Sequence, residues 1–131
     1  MLILDTSGLL AALDRRDKHH ERAARLLAKD PGPYVVPVPI LAEVTYMVTA
    51  RLGPHVLDAF LADVEVGAFT LDCGEADVGR IRELVRRYAS LPLGFADAAV
   101  VACAERTRGP VLTFDVRDFA VVAQEGTIAL A

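Results

Sequence analysis

Cysteine is nearly absent from this chain. The two present, Cys73 and Cys103, are too few for a disulfide framework or a zinc cage. Both are read as structural thiols, Cys103 as a small hydrophobe in an alanine-rich stretch. No apolar run approaches the ~20 residues needed to cross a bilayer, so no membrane association is expected. No basic segment opens the chain and Asp5 interrupts the first apolar stretch, which argues against a secretory signal peptide and for a cytoplasmic location. Lysine is as scarce as cysteine, with only Lys18 and Lys29. Linkers, low-complexity tracts and internal repeats are missing too. The 131 residues are therefore expected to form one domain, 1–131, around a single core.

What is there is apolar and mildly acidic. A hydrophobic content of 53% and a mean hydropathy of +0.36 exclude disorder. A net charge of −4 argues against a generic nucleic-acid coat protein, which would show a basic balance. The cations are nevertheless grouped. Arg15, Arg16, Lys18, Arg22, Arg25 and Lys29 form one basic stretch, and Arg80, Arg82, Arg86 and Arg87 form another. Each reads equally as a solvated helix face or as a surface that meets phosphates.

Short apolar runs alternate with helical periodicity. Residues 2 to 4 predict a strand, and Thr6-Ser7-Gly8 offers hydroxyl caps for a helix carrying Leu9, Leu10 and Leu13. A helix over 19–29 ends at Asp30-Pro31-Gly32-Pro33, and Tyr34-Val35-Val36 predicts a second strand, with Pro39 opening the next helix. Residues 39–52 and the segment after Gly53-Pro54 predict a helical hairpin, which either packs on the sheet or offers a groove to a partner helix. Ala68 to Leu71 reads as a third strand. Val78, Ile81, Val85 and Tyr88 stripe a further helix, and Phe95 to Arg106 forms the last. Val111 to Phe114 reads as a fourth strand and Ile128 to Leu130 as a fifth. This alternation predicts an α/β fold with a mostly parallel sheet of four to five short strands and helices on both faces.

Four acids interrupt apolar elements. Asp5 closes Met-Leu-Ile-Leu, Glu43 and Asp97 lie in apolar helical stretches, and Asp115 follows Val-Leu-Thr-Phe. A buried carboxylate must be hydrogen-bonded, paired or metal-bound. Ligands of parallel sheets bind beyond the carboxyl ends of the strands, where Asp5 and Asp115 fall, and Asp97 and Glu43 start helices entered from that edge. Clustered carboxylates repel by several kcal/mol, and a divalent cation reverses the sign. An oxygen-only set suits Mg²⁺ better than zinc, and a Mg²⁺-held water near a phosphodiester gives hydrolysis. Taken singly, each acid has a plainer reading: Asp5 as a helix cap, Asp97 as a dipole partner, Asp115 as a turn residue, and Glu43 as a solvated side chain. Asp118, three positions after Asp115, either joins the edge or pairs in solvent. Adjacent His19 and His20 share no helix face and read as a solvated helix start, and Tyr46 reads as a core or pocket residue.

The ordered set Leu-Ile-Leu-Asp-Thr-Ser-Gly-Leu-Leu (2–10), Pro-Ile-Leu-Ala-Glu-Val around Glu43, Phe-Ala-Asp-Ala-Ala (95–99) and Val-Leu-Thr-Phe-Asp with Asp118-Phe119 resembles the PIN-domain family. More narrowly, it resembles the VapC-type ribonuclease toxins of toxin–antitoxin pairs. The resemblance covers essentially the whole chain and implies a PIN-like three-layer sandwich. It implies that Asp5, Glu43, Asp97 and Asp115 are catalytic, with Asp5, Asp97 and Asp115 on the metal. It implies that Thr6, Ser7 and Asp118 support them from behind or contact the substrate. It further implies a Mg²⁺- or Mn²⁺-dependent endoribonuclease acting on RNA, a homodimer, and a small antitoxin that blocks the acidic pocket.

A housekeeping PIN nuclease would process RNA without an inhibitor. A receiver-like signalling module needs a lysine after a late strand, and neither lysine stands there. A haloacid-dehalogenase-like phosphatase needs an acid where Ser7 stands, two residues after Asp5. An inactive binding fold leaves the full set of acids unexplained.

Overall fold

The computed structural model describes residues 1–131. Four strands, β1 (Leu2–Leu4), β2 (Tyr34–Pro37), β3 (Thr70–Asp72) and β4 (Val111–Leu112), form one sheet in the order β3-β2-β1-β4. Every pairing is parallel, with Ile3 opposite both Val35 and Val111, and Val36 opposite Leu71. The expected fifth strand is reduced to a single parallel bridge between Val111 and Leu130. The class is α/β, as the alternation of elements requires.

Seven α-helices connect the strands: α1 (Thr6–Leu13), α2 (His20–Lys29), α3 (Leu41–Leu52), α4 (Pro54–Glu65), α5 (Val78–Arg87), α6 (Phe95–Thr107) and α7 (Val116–Ala123). From β1 the chain steps outward to β2 and β3, then returns across the sheet to β4 on the other side of β1. Right-handed crossovers put the outward and returning helices on opposite faces, and the strand order reverses between β1 and β4. A crevice opens there.

The core is one cluster of 29 buried residues, including Ile3, Leu4, Leu9, Val36, Leu112 and Phe119. Helix α6 is buried from Ala98 to Ala104, because small side chains let it lie close against the sheet. The α3–α4 hairpin turns Val44, Val48 and Phe60 inward, and Phe60 meets Phe69 at 5.5 Å. Its inner face is therefore spent on the core. On α5 the buried stripe is Ile81, Leu84 and Tyr88; Val78 and Val85, expected on that stripe, are exposed. Cys103 is buried, and the cost of desolvating a thiolate beside Asp72 pushes its thiol up to about 12, which makes it inert. Cys73 is exposed, so the structural role expected for it does not hold.

Local departures from the predicted elements have local causes. The cap of α1 is Asp5 itself, not a hydroxyl of Thr6 or Ser7. Pro39 sits in a 3-10 turn, Val38–Ile40, that precedes α3. Strand β4 stops two residues early because the Phe114 N–H donates to Ser7 Oγ (2.8 Å) rather than to a neighbouring strand.

Candidate active site

Asp5 stands at the end of β1, 3% exposed, as the N-cap of α1. Its Oδ1 accepts from the Gly8 N–H (2.8 Å) and the Ser7 hydroxyl (2.9 Å), and its Oδ2 accepts from the Thr113 hydroxyl (2.7 Å). Each hydroxyl has one proton, and both protons point at Asp5. Ser7 Oγ in turn accepts from the N–H groups of Phe114 (2.8 Å) and Asp115 (3.2 Å). These bonds stitch the ends of β1 and β4 together beneath the crevice. Burial raises the pKa of Asp5, and the three hydrogen bonds, which favour the ionised form, oppose that rise.

Gly8 makes the approach of these two strand ends attainable. A Cβ there would lie 2.1 Å from the Leu112 carbonyl oxygen, so any larger residue would push α1 off β4. The first turn of α1 therefore rests directly on backbone.

Above this base lies a cleft of about 540 Å³. Asp5, Glu43, Asp97 and Asp115 all line it, together with Thr6 and Ser7. Asp97, half-buried in the first turn of α6, has its pKa raised to about 6, first by burial and then by Asp5, Asp115, Asp118 and Glu43. Asp115 and Glu43 are exposed at the rim. Asp118, in the first turn of α7, does not line the cleft, but its charge is felt at Asp97. No three of these groups converge at the spacing of a closed metal cage. The arrangement is an open, oxygen-rich basin of negative charge.

The sequence matches the PIN domain family over residues 2–125. The chain is a PIN-domain protein. Ribonuclease VapC26 of Mycobacterium tuberculosis is 33% identical over 127 residues, spanning 95% of this chain and 94% of that protein. Among solved structures, M. tuberculosis VapC20, described as a sarcin-ricin loop cleaving toxin, superposes with a TM-score of 0.80 at 23% identity, over 93% of this chain and 95% of its own. VapBC2 from Rickettsia felis, bound to a promoter DNA fragment, gives 0.72 at 17% identity over 99% and 96%. A toxin–antitoxin complex from Klebsiella pneumoniae gives 0.73 at 19% over 98% and 96%. At these identities the structures establish the shared PIN fold.

Within this PIN domain, several cleft residues lay outside the motif-based reading. His19, expected in solvent, stacks on Phe114 with ring centres 4.4 Å apart and planes 2° apart, and both line the cleft. His20 contacts the Ala11 carbonyl through Nδ1 at 2.7 Å. Asp17, Lys18 and Arg51 complete the wall. Thr113 is the donor to Asp5 Oδ2. Its signal in the sequence was a hydroxyl at the end of a buried strand, where only a polar partner makes it tolerable. Tyr46 is 75% exposed and belongs to neither core nor cleft.

Proposed function

We propose that this PIN-domain chain is a Mg²⁺-dependent endoribonuclease, the toxin of a VapBC-type pair, hydrolysing RNA phosphodiester bonds in the crevice between β1 and β4. The observation that carries the reading is the convergence of Asp5, Glu43, Asp97 and Asp115, from four separate regions of the chain, on one cleft. Burial, and then the charge of the other acids, raises the Asp97 pKa to about 6. Such mutual repulsion is relieved by a bound cation. Support for RNA as substrate comes from the relatives, one named a ribonuclease and another described as cleaving the sarcin-ricin loop. Support for a small antitoxin partner comes from the solved VapBC and toxin–antitoxin complexes of the same fold.

The donor set fits Mg²⁺ or Mn²⁺. It is made of carboxylates, it is open, and Asp5 Oδ2 has only one hydrogen bond, leaving acceptor capacity. An ion that keeps several waters and borrows phosphate oxygens needs one or two carboxylates rather than a cage. Asp5, Asp97 and Asp115 would hold it, and the ion when bound supplies an activated water and neutralises the leaving oxygen. Ser7 and Thr113 fix the Asp5 carboxylate so that it pays no reorganisation on binding. Glu43 brings a fourth carboxylate to the basin from α3, Thr6 lines the same cleft, and Asp118 reinforces the field from α7. In the pair, a cationic antitoxin side chain would complement the same basin, and the toxin would act as a homodimer.

The test is cleavage of a pool of structured RNAs by antitoxin-free protein, with Mg²⁺ or with excess EDTA, beside Asp97→Asn. New ends that need metal and vanish in the variant are expected. Ends that persist in EDTA or in Asp97→Asn would refute the assignment. Expression in cells without a cognate antitoxin should arrest growth, and normal growth would point to RNA processing without an inhibitor.

A further inference from the structure

A second cleft, of about 520 Å³, adjoins the acidic one and has the opposite charge. Its charged lining is Arg15, Arg16 and Arg51 against the single acid Asp14, over a floor of Leu13, Leu52 and Val56. Arg51, in the last turn of α3, borders both clefts. One loop, 14–19, forms walls of both as well: Arg15 and Arg16 face the basic cleft, and Asp17, Lys18 and His19 the acidic one.

None of these cations is neutralised within the fold. Of the 14 lysines and arginines, only Arg80, Arg87 and Arg106 form ion pairs. Three exposed guanidinium groups without an intramolecular partner converge on one cavity, so their positive field is open to an external anion. The loop is also held in shape. Asp14 accepts from the Arg16 N–H (2.9 Å), Asp17 from the His19 N–H (2.8 Å), and the His19 ring is stacked on Phe114. A pre-shaped loop loses little freedom on binding.

We infer that Arg15, Arg16 and Arg51 form a subsite for the backbone phosphates of a single RNA strand, next to the acidic basin that takes the bond to be cut. The inference rests on the nuclease reading. Guanidinium forks match phosphate oxygens two by two, and the Leu13–Leu52–Val56 floor suits the apolar faces of riboses and bases. The subsite also answers a difficulty of the acidic cleft, which repels the polyanion it must admit. Attraction a few residues away holds the strand while the basin handles one phosphate. Arg22, Arg25 and Lys29, the other half of the basic stretch, line a separate hollow with Leu26 and take no part.

Binding of a fluorescein-labelled oligouridylate of about 12 nucleotides, followed by anisotropy in EDTA across a salt series, tests the subsite without cleavage. Arg15→Gln/Arg16→Gln and Arg51→Gln should each weaken binding about tenfold or more at low salt. The slope of log K against log salt should fall by about 0.7 per arginine removed. Lys at the same positions should restore most of the slope, and Arg22→Gln/Arg25→Gln should bind as wild type does. With Mg²⁺ and a cleavable RNA, the glutamine variants should lose kcat/KM through KM, the mark of binding distant from the reacting bond. Wild-type protein that cuts nothing yet binds through these arginines would unseat the nuclease reading and uphold the subsite. Cleavage by wild type that the glutamine variants match in affinity and KM would overturn the subsite alone. Retention of a labelled poly-glutamate peptide in place of oligouridylate would overturn it in favour of an acidic protein partner.

Discussion

The Asp97 carboxyl keeps its proton to about pH 6 in the folded chain, whereas in the unfolded chain it releases it near 3.8. Between those values the folded state binds more protons, so stability falls as pH rises through the window and the loss is complete above it. Without metal, Asp97→Asn should therefore be more stable than wild type by about 1–3 kcal/mol at pH 7–8, with the gap closing below about pH 4. Urea unfolding at a series of pH values in EDTA measures this; a gap that widens toward acid would contradict it. Thr113 offers a second residue-scale check. Thr113→Val keeps the shape and removes the donor to Asp5, leaving a buried carboxylate short of one bond. It should cost about 1–3 kcal/mol and most of the cleavage activity, while Thr113→Ser should keep both. These two side chains differed in legibility. Asp97 stood out as one of four acids set in apolar elements, a set that its plainer reading as a dipole partner does not explain, whereas Thr113 is unremarkable until the end of β1 is brought beside it.

At the scale of elements, the strand–helix alternation was readable because apolar runs too short for helices were separated by Pro and Gly. Boundaries failed where a side chain took over a backbone bond. Phe114 left β4 for the Ser7 hydroxyl, a partner 107 positions away that no local pattern contains. Helix α7 carries no periodic stripe long enough to announce it between Phe114 and Ile128; it forms from Val116 to Ala123 because Phe119 and Val122 find the core. On α5, a stripe of period 3.6 admits either Leu84 or Val85, and only the packing partner selects Leu84 for the core. Gly8 yields the prediction that belongs here. Gly8→Ala must separate α1 from β4, and should cost about 2–3 kcal/mol and reduce cleavage by more than its fraction unfolded. Thermal unfolding beside an activity assay separates the two losses, and a variant as stable and active as wild type would show that α1 has room to move.

Over the whole molecule, charge is sorted rather than balanced. The strand reversal between β1 and β4 gathers acids from four regions of the chain, and the loop after α1 sets arginines beside them. Net charge concealed this, because a sum over 131 residues has no geometry. If the basin is a metal site, Mg²⁺ should raise the melting temperature of wild type in a concentration-dependent way, and chelation should abolish both the rise and cleavage. Asp97→Asn should show no rise, and an equal rise in both proteins would place the ion elsewhere.

Asp5 is at once the cap of α1 and part of the acidic basin, and that doubling governs how genetics at this locus should be read. A screen for harmless variants would return Asp5→Ala and Asp5→Val as damaged proteins that also lack a carboxylate, so abundance and chemistry fall together. Asn, which caps a helix nearly as well, is the one substitution there that reports on chemistry. Asp97 has no capping bond to lose, so any small polar replacement at that position gives an intact, silent protein suited to trapping whatever the cleft holds.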